Sequence, residues 1–166
     1  MVSSRVFGNL SAPPPLAIYF SVWVVTLACI LAVRVAQTEG LSLAPFVLIL
    51  TAGLTFSALM SRKPMTEGAR IAFGFIDGMI ALLTLTAQTY LNGLVGMTTE
   101  TALEVYLSRS FLWYLTLRSG VLVTLGSVAF QCVPGLAVFG LVATYVLASE
   151  IIWLFVLFLL AMLFTL

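Results

Sequence analysis

The sequence contains no histidine, only two cysteines and very few charged side chains. Of 166 residues, 8% are charged, and the formal net charge is +1. The absence of histidine excludes histidine-ligated haem, most zinc sites and nucleophiles activated by a histidine base. We therefore expect no enzyme, and no catalytic, cofactor-binding or metal-binding residues. Cys29 and Cys132 both lie in apolar runs, where a thiol behaves as a small hydrophobic group, and no disulfide is expected between them.

The scarcity of charge also excludes an ordinary soluble domain. Such domains are about 25% charged and about 45–50% apolar, whereas 62% of this chain is hydrophobic. The composition predicts an all-α integral membrane protein whose first partner is the lipid bilayer. No basic cluster is larger than the pair Arg62-Lys63, so nothing indicates a nucleic-acid partner.

Apolar runs divide the chain into one multi-pass domain, 1–166, with short loops. A helix crosses about 30 Å of hydrocarbon at about 1.5 Å per residue. This criterion predicts a bundle of six transmembrane helices at 16–36, 43–60, 70–92, 104–124, 128–147 and 151–166. The last span reaches only about 24 Å, and no basic or aromatic anchor follows Leu166. We therefore expect either that the 166 residues are the ordered part of a longer polypeptide or that a tail has been removed.

The number of spans depends on residues 104–148. If "LGS" at 125–127 is a turn, this region contains two spans and the total is six. In the alternative, residues 102–118 lie in the interface, and one long span over 120–148 gives five. The sequence favours six.

Basic residues indicate the orientation. Arg62, Lys63 and Arg70 lie between the second and third spans, and Arg5 precedes the first. The links that contain Glu39 and Glu100 have no basic residue. Because short cytoplasmic loops are rich in lysine and arginine, the N-terminus and loop 61–69 are predicted to be cytoplasmic.

The third span contains a stripe of polar and small residues. At 100° per residue, the stripe falls within about 120° of the helix. Gly74 and Gly78 form a GxxxG pair on it, which would let another backbone approach closely. We interpret this face as packed centrally in the bundle; an ion or proton path and a partner subunit are the alternatives. The stripe comprises Arg70, Gly74, Asp77, Gly78, Ala81, Thr84, Gln88 and Asn92.

A carboxylate inside a span needs a partner. Facing lipid, Asp77 would cost about 2.5–3.5 kcal/mol on insertion scales. It lies about 10 Å from Arg70 at the cytoplasmic boundary, and Arg118 lies about 9 Å from Thr124 at the same boundary. The matching depths predict an Asp77–Arg118 ion pair between the third and fourth spans.

Gln131 is the remaining polar side chain of interest. It lies beside Cys132 and two residues before Pro134. The favoured interpretation is a hydrogen bond between helices near a proline kink. The alternative is a ligand contact at a broken helix.

The C-terminal third contains a series of short motifs: "LRS" at 117–119, "VP" at 133–134, "FGLV" at 139–142, Glu150 and "FVLFLLAMLF" at 155–164. Together these motifs give the chain a resemblance to the N-terminal membrane region of bacterial transglutaminase-like membrane proteins. It implies a bacterial cytoplasmic membrane protein. In that family a papain-like Cys-His-Asp domain follows these spans, and without histidine this activity cannot reside in the 166 residues. The turn "TLGS" also lacks the charges expected in the family's turn.

Three functions fit these observations. The first is a non-catalytic structural or anchoring module, a subunit or fragment of a larger assembly with other membrane subunits as partners. The second is a small ion- or proton-translocating protein that uses Asp77. The third is an accessory subunit of a photosynthetic or respiratory complex that contacts pigment, quinone or lipid.

Overall fold

The computed structural model describes residues 14–36, 42–94, 103–146 and 149–165, without the side chains of 88–94, 103 and 145. Every regular element in these ranges is helical, as the composition predicts. The elements are α1 (Leu16–Ala36), α2 (Leu43–Ser61), α3 (Glu67–Leu94), α4 (Leu103–Arg118), a 3₁₀ turn (Ser119–Val121), α5 (Leu125–Phe130), α6 (Cys132–Tyr145) and α7 (Ser149–Thr165).

In the part of the chain that the structure describes, four segments are long and apolar enough to cross a membrane. Three of them are α1, α2 and the first three-quarters of α3, and the fourth joins α5 to α6 through a single turn residue, Gln131. Helix α7 is equally apolar but shorter. Large apolar side chains cover the outside of the bundle; Phe75 is 71% exposed and Phe164 81%. Such a surface suits lipid far better than water.

Helix α1 is the centre of the bundle. It packs against α7, α6, α2 and α4. Its buried side chains cover about 200° of its circumference at 100° per residue, which only an interior helix can do. The side chains that are completely enclosed are Val22, Val25, Thr26, Cys29, Ile30, Ala32 and Val33.

Hydroxyl and indole groups link α1 to its neighbours. The Ser21 hydroxyl donates to the Ala161 carbonyl of α7 at 2.5 Å and lies 2.9 Å from Thr165 Oγ1. On the α2 side, Trp23 Nε1 donates to Thr51 Oγ1 at 3.2 Å. Between apolar helices in lipid, such bonds contribute about 0.6–2 kcal/mol each.

Helix α3 lies at the edge of the bundle, so its predicted central position is wrong. Among residues 67–87, only Thr84 is buried. The contacts of α3 are with α4 and the 3₁₀ turn, and its contact face contains Asp77 and Thr84. Among residues 67–87, the attachment of α3 is therefore confined to the part of the stripe that contains Asp77 and Thr84.

The turn predicted at 125–127 is also misplaced. The chain leaves helical geometry between residues 119 and 124, and "LGS" forms the first turn of α5. Thr124 Oγ1 accepts from the Ser127 N–H at 3.2 Å, and Ser127 Oγ accepts from the Thr124 N–H at 3.1 Å. This reciprocal cap satisfies two donors that a helix start leaves free, so the sequence begins a helix where a turn was expected.

The glycines at close contacts between helices are not the predicted pair. A Cβ at Gly53 of α2 would overlap Ser119 Oγ and the backbone nitrogen of Gly120, and one at Gly135 of α6 would overlap the Phe158 ring. A Cβ at Gly74 or Gly78 would meet nothing within 4 Å. Gly78 follows Asp77 by one residue and therefore lies about 100° further around α3, away from the contact face.

These contacts predict opposite effects of alanine at two glycines. Gly53→Ala should reduce the free energy of unfolding by about 1–3 kcal/mol, because the backbone at Gly120 leaves no room for a methyl group. Gly78→Ala should leave it unchanged or raise it by up to about 1 kcal/mol, since alanine is the better helix former. Unfolding of both variants in detergent micelles would measure the difference, and equal effects would contradict the assigned packing.

Candidate functional site

The structure places Arg118 against Asp77 at the junction of α3, α4 and α5. Arg118 Nε donates to both carboxylate oxygens of Asp77, at 2.9 and 3.0 Å. The arginine side chain is 2% exposed and the aspartate 26%. Asp77 and Arg118 were predicted to pair because they lie at the same depth, and the structure places them in direct contact.

The other two nitrogens of the guanidinium also have acceptors. Nη1 donates to Gln131 Oε1 at 3.1 Å, and Nη2 donates to the Ser127 carbonyl at 3.2 Å. Gln131 is itself enclosed, and its Nε2 donates to the Leu115 carbonyl at 2.9 Å. Gln131, the proposed alternative ligand contact, therefore has both its polar atoms bonded inside the protein.

Two aromatic rings cover the guanidinium. The Phe130 ring centroid lies 4.8 Å from Arg118 Cζ and the Tyr114 centroid 5.7 Å. At these distances a cation is attracted by the ring quadrupole. The Tyr114 hydroxyl also donates to Asp77 Oδ1 at 3.4 Å, a long bond. The rings thus shield the charged network, which we define as Asp77, Tyr114, Arg118, Ser127 and Gln131.

The segment that follows Arg118 is fixed by hydrogen bonds from α1 and α2. Ser57 Oγ donates to the Ser119 carbonyl at 2.7 Å and accepts from the Leu122 N–H at 3.1 Å. Tyr19 of α1 donates to the Leu122 carbonyl at 2.7 Å. These bonds, with the close approach of Gly53, hold the backbone that presents Arg118 to Asp77.

The other predicted site residues that the structure describes stand apart from this network. Thr84 is buried, but its hydroxyl donates to the Ile80 and Ala81 carbonyls of its own helix. Gly74 and Gly78 face outward, and the side chain of Gln88 lies outside the described residues. Of the stripe residues whose side chains the structure describes, only Asp77 takes part.

Sequence reasoning missed Tyr114 and Ser127. Tyr114 lies four residues before Arg118, a spacing that brings side chains together on one helix face. Ser127 was assigned to a turn, although its spacing from Thr124 fits a helix cap. Both spacings are visible in the sequence itself, so both residues could have been predicted.

The described residues contain no group of three or more metal-ligating side chains. Cys29 and Cys132 are free thiols, and both are buried. Comparison with known protein families, with curated proteins and with solved structures finds no match. The resemblance of the C-terminal third to transglutaminase-like membrane proteins stays a prediction.

The network predicts a marked loss of stability when either charge is removed alone. Arg118→Gln leaves a carboxylate without its cation, and Asp77→Asn leaves an enclosed guanidinium without its anion. Each should reduce the free energy of unfolding by about 3–5 kcal/mol. The double variant should lose clearly less than the sum of the two, because it removes both unpaired charges.

Unfolding of the four proteins in the same detergent measures this coupling. Arg34→Gln is the matched control, because Arg34 is exposed near the end of α1 and should change stability by no more than about 0.5 kcal/mol. Additive losses in the double variant would show that the two charges do not depend on each other.

Proposed function

We propose that this chain is a non-catalytic, membrane-embedded structural or anchoring module, a subunit or fragment of a larger membrane assembly. The observation that carries the proposal is the closed charge network. Every guanidinium nitrogen of Arg118 is bonded within the protein, and both polar atoms of Gln131 are bonded as well. Groups engaged in this way hold helices together and leave little capacity for substrate or metal.

We also propose that α4 and α7 cross the membrane, which gives six crossings with loop 61–69 on the cytoplasmic side. Tyr19 near the start of α1 bonds to Ser57 near the end of α2 and to Leu122 in the turn after α4. Ser21 bonds to Thr165 at the end of α7. The ends of four helices therefore meet at the end of the bundle where Arg62 and Lys63 lie, as alternate crossings require.

The outer face of α3 supports membership of an assembly. Gly74 and Gly78 lie on it with nothing packed against either. Adjacent large side chains such as Phe75 and Ile71 are also exposed. In a bilayer, paired small residues allow a second helix to approach closely, so this face suits a helix of another subunit. The resemblance to transglutaminase-like proteins, whose membrane region carries a separate domain, fits the same role.

Proton translocation is the competing function, and Asp77 is the observation that favours it. Its carboxylate is a quarter exposed and contacts the Tyr114 hydroxyl. The same carboxylate, however, accepts from Arg118 Nε through both of its oxygens, at 2.9 and 3.0 Å, and is therefore already held by a fixed partner.

Native purification tests membership of an assembly. We expect the protein to co-purify with at least one other membrane chain. Gly74→Leu combined with Gly78→Leu should abolish this association without affecting folding. Gly140→Leu is the matched control, because Gly140 is an outward glycine of α6 with nothing within 4 Å. A chain that purifies alone, or a partner retained by the double variant, would contradict the assigned face.

A liposome assay separates the two functions. We expect the purified protein to conduct neither protons nor other ions, as measured by a pH-sensitive dye inside the vesicles. Proton flux that disappears in Asp77→Asn, with the variant still folded, would replace the structural function by translocation.

A further inference from the structure

A basic cavity opens at the end of the bundle where α2 meets α3. Its volume is about 330 Å³, and Arg62, Lys63 and Arg70 contribute to its lining together with Ser61 and Thr124. No acidic side chain lines it in the part of the chain that the structure describes. None of the three basic side chains forms an ion pair with a described residue. The cavity therefore presents uncompensated positive charge beside hydroxyl groups.

An apolar groove continues from this cavity along the bundle. It lies between α1 and α2, has a volume of about 490 Å³, and is lined by Tyr19, Phe20, Trp23 and Leu59 among others. Arg62 lines both the groove and the basic cavity. The groove thus begins at the positive charges and leads away from them into the apolar part of the protein.

The polar atoms on the α2 wall of the groove are already satisfied. Thr51 Oγ1 donates to the Val47 carbonyl and Thr55 Oγ1 to the Thr51 carbonyl, each at 2.7 Å. Thr51 also accepts from the Trp23 indole. What remains for a ligand is methyl, methylene and ring surface.

The length of the groove fits one acyl chain. Thr51 precedes Arg62 by eleven residues, which is about 16 Å along a helix. The hydrocarbon of one leaflet is about half of 30 Å thick. A molecule with an anionic head at Arg62 and a chain that ends near Thr51 would therefore occupy one leaflet at its natural depth.

We infer that this chain binds one anionic phospholipid, with the phosphate of the headgroup on Arg62, Lys63 and Arg70 and an acyl chain in the groove between α1 and α2. The charges favour an anionic headgroup, and the adjoining groove favours a lipid over a free phosphate. Each lysine or arginine near an anionic headgroup contributes roughly fivefold to affinity. The inference requires a membrane location but is independent of the structural role proposed above.

Lipid retention measures the site directly. The protein is reconstituted in phosphatidylcholine nanodiscs with a small fraction of phosphatidylglycerol, and the lipids that remain bound are identified by native mass spectrometry. We expect one retained phosphatidylglycerol. Arg62→Gln, Lys63→Gln and Arg70→Gln combined should weaken its retention roughly a hundredfold. The control is Arg34→Gln, because Arg34 is exposed near the other end of α1; this substitution should leave lipid retention unchanged.

Two further measurements distinguish a phospholipid from a free phosphate compound as the ligand. Thr55→Trp fills the groove and should weaken retention, whereas Ala143→Trp, in the apolar cavity between α6 and α7, should not. Soluble glycerol phosphate should fail to displace the lipid. Retention that survives the triple substitution, equal retention of both lipids, or full displacement by glycerol phosphate with no effect of Thr55→Trp would each overturn the inference.

Discussion

The burial of one guanidinium constrains much of this structure. An arginine side chain remains charged in proteins, and Arg118 is enclosed among apolar helices, so its neighbours must supply acceptors for the guanidinium. Helix α3 supplies Asp77, the start of α5 supplies the Ser127 carbonyl, and the junction of α5 and α6 supplies Gln131. The position of α3 depends on this arrangement most strongly, since among residues 67–87 that helix buries almost nothing else. An ion pair of little net stabilising energy can still decide where a helix lies, and here it orients an otherwise weakly attached one.

The sequence was sufficient for the all-helical class, for the first three helices and for the Asp77–Arg118 contact, but for different reasons. Helix positions follow from the length of apolar runs. The ion pair follows from depth, which depends only on the rise per residue and on a shared boundary. The other two acceptors of Arg118 were missed because they depend on where the chain turns. Assigning 125–127 to a loop removed Ser127 from the helix whose start it caps. The spacing of Thr124 and Ser127 is that of a capped helix start, but the prediction followed the overall hydropathy of the region instead.

The glycines show where a helical wheel fails. A wheel identifies residues that share a face, but it gives no information on whether that face meets protein or lipid. In water the apolar face of a helix turns toward the protein interior. In a membrane the interior and the surrounding lipid are both apolar, so the pattern of apolar residues no longer shows which face is buried. Here the almost uniformly apolar α1 is central, and α3, which has the polar stripe, is peripheral. The glycines that matter, Gly53 and Gly135, lie in helices with no stripe. Their role depends on Ser119 and Phe158, which are distant in sequence.

Residues 119–124 join the interior of the bundle to its charged end. Arg118 fixes where this segment begins, and Ser57 and Tyr19 hold its middle through Leu122. Its last residues, Val123 and Thr124, form part of the wall of the basic cavity. The four basic residues of this region thus divide by environment. Arg118 is enclosed and neutralised by Asp77, whereas Arg62, Lys63 and Arg70 remain without an internal anion at the level where phospholipid headgroups would lie. The same short segment positions the first and shapes the cavity for the other three, so the interior ion pair and the lipid site share one structural support.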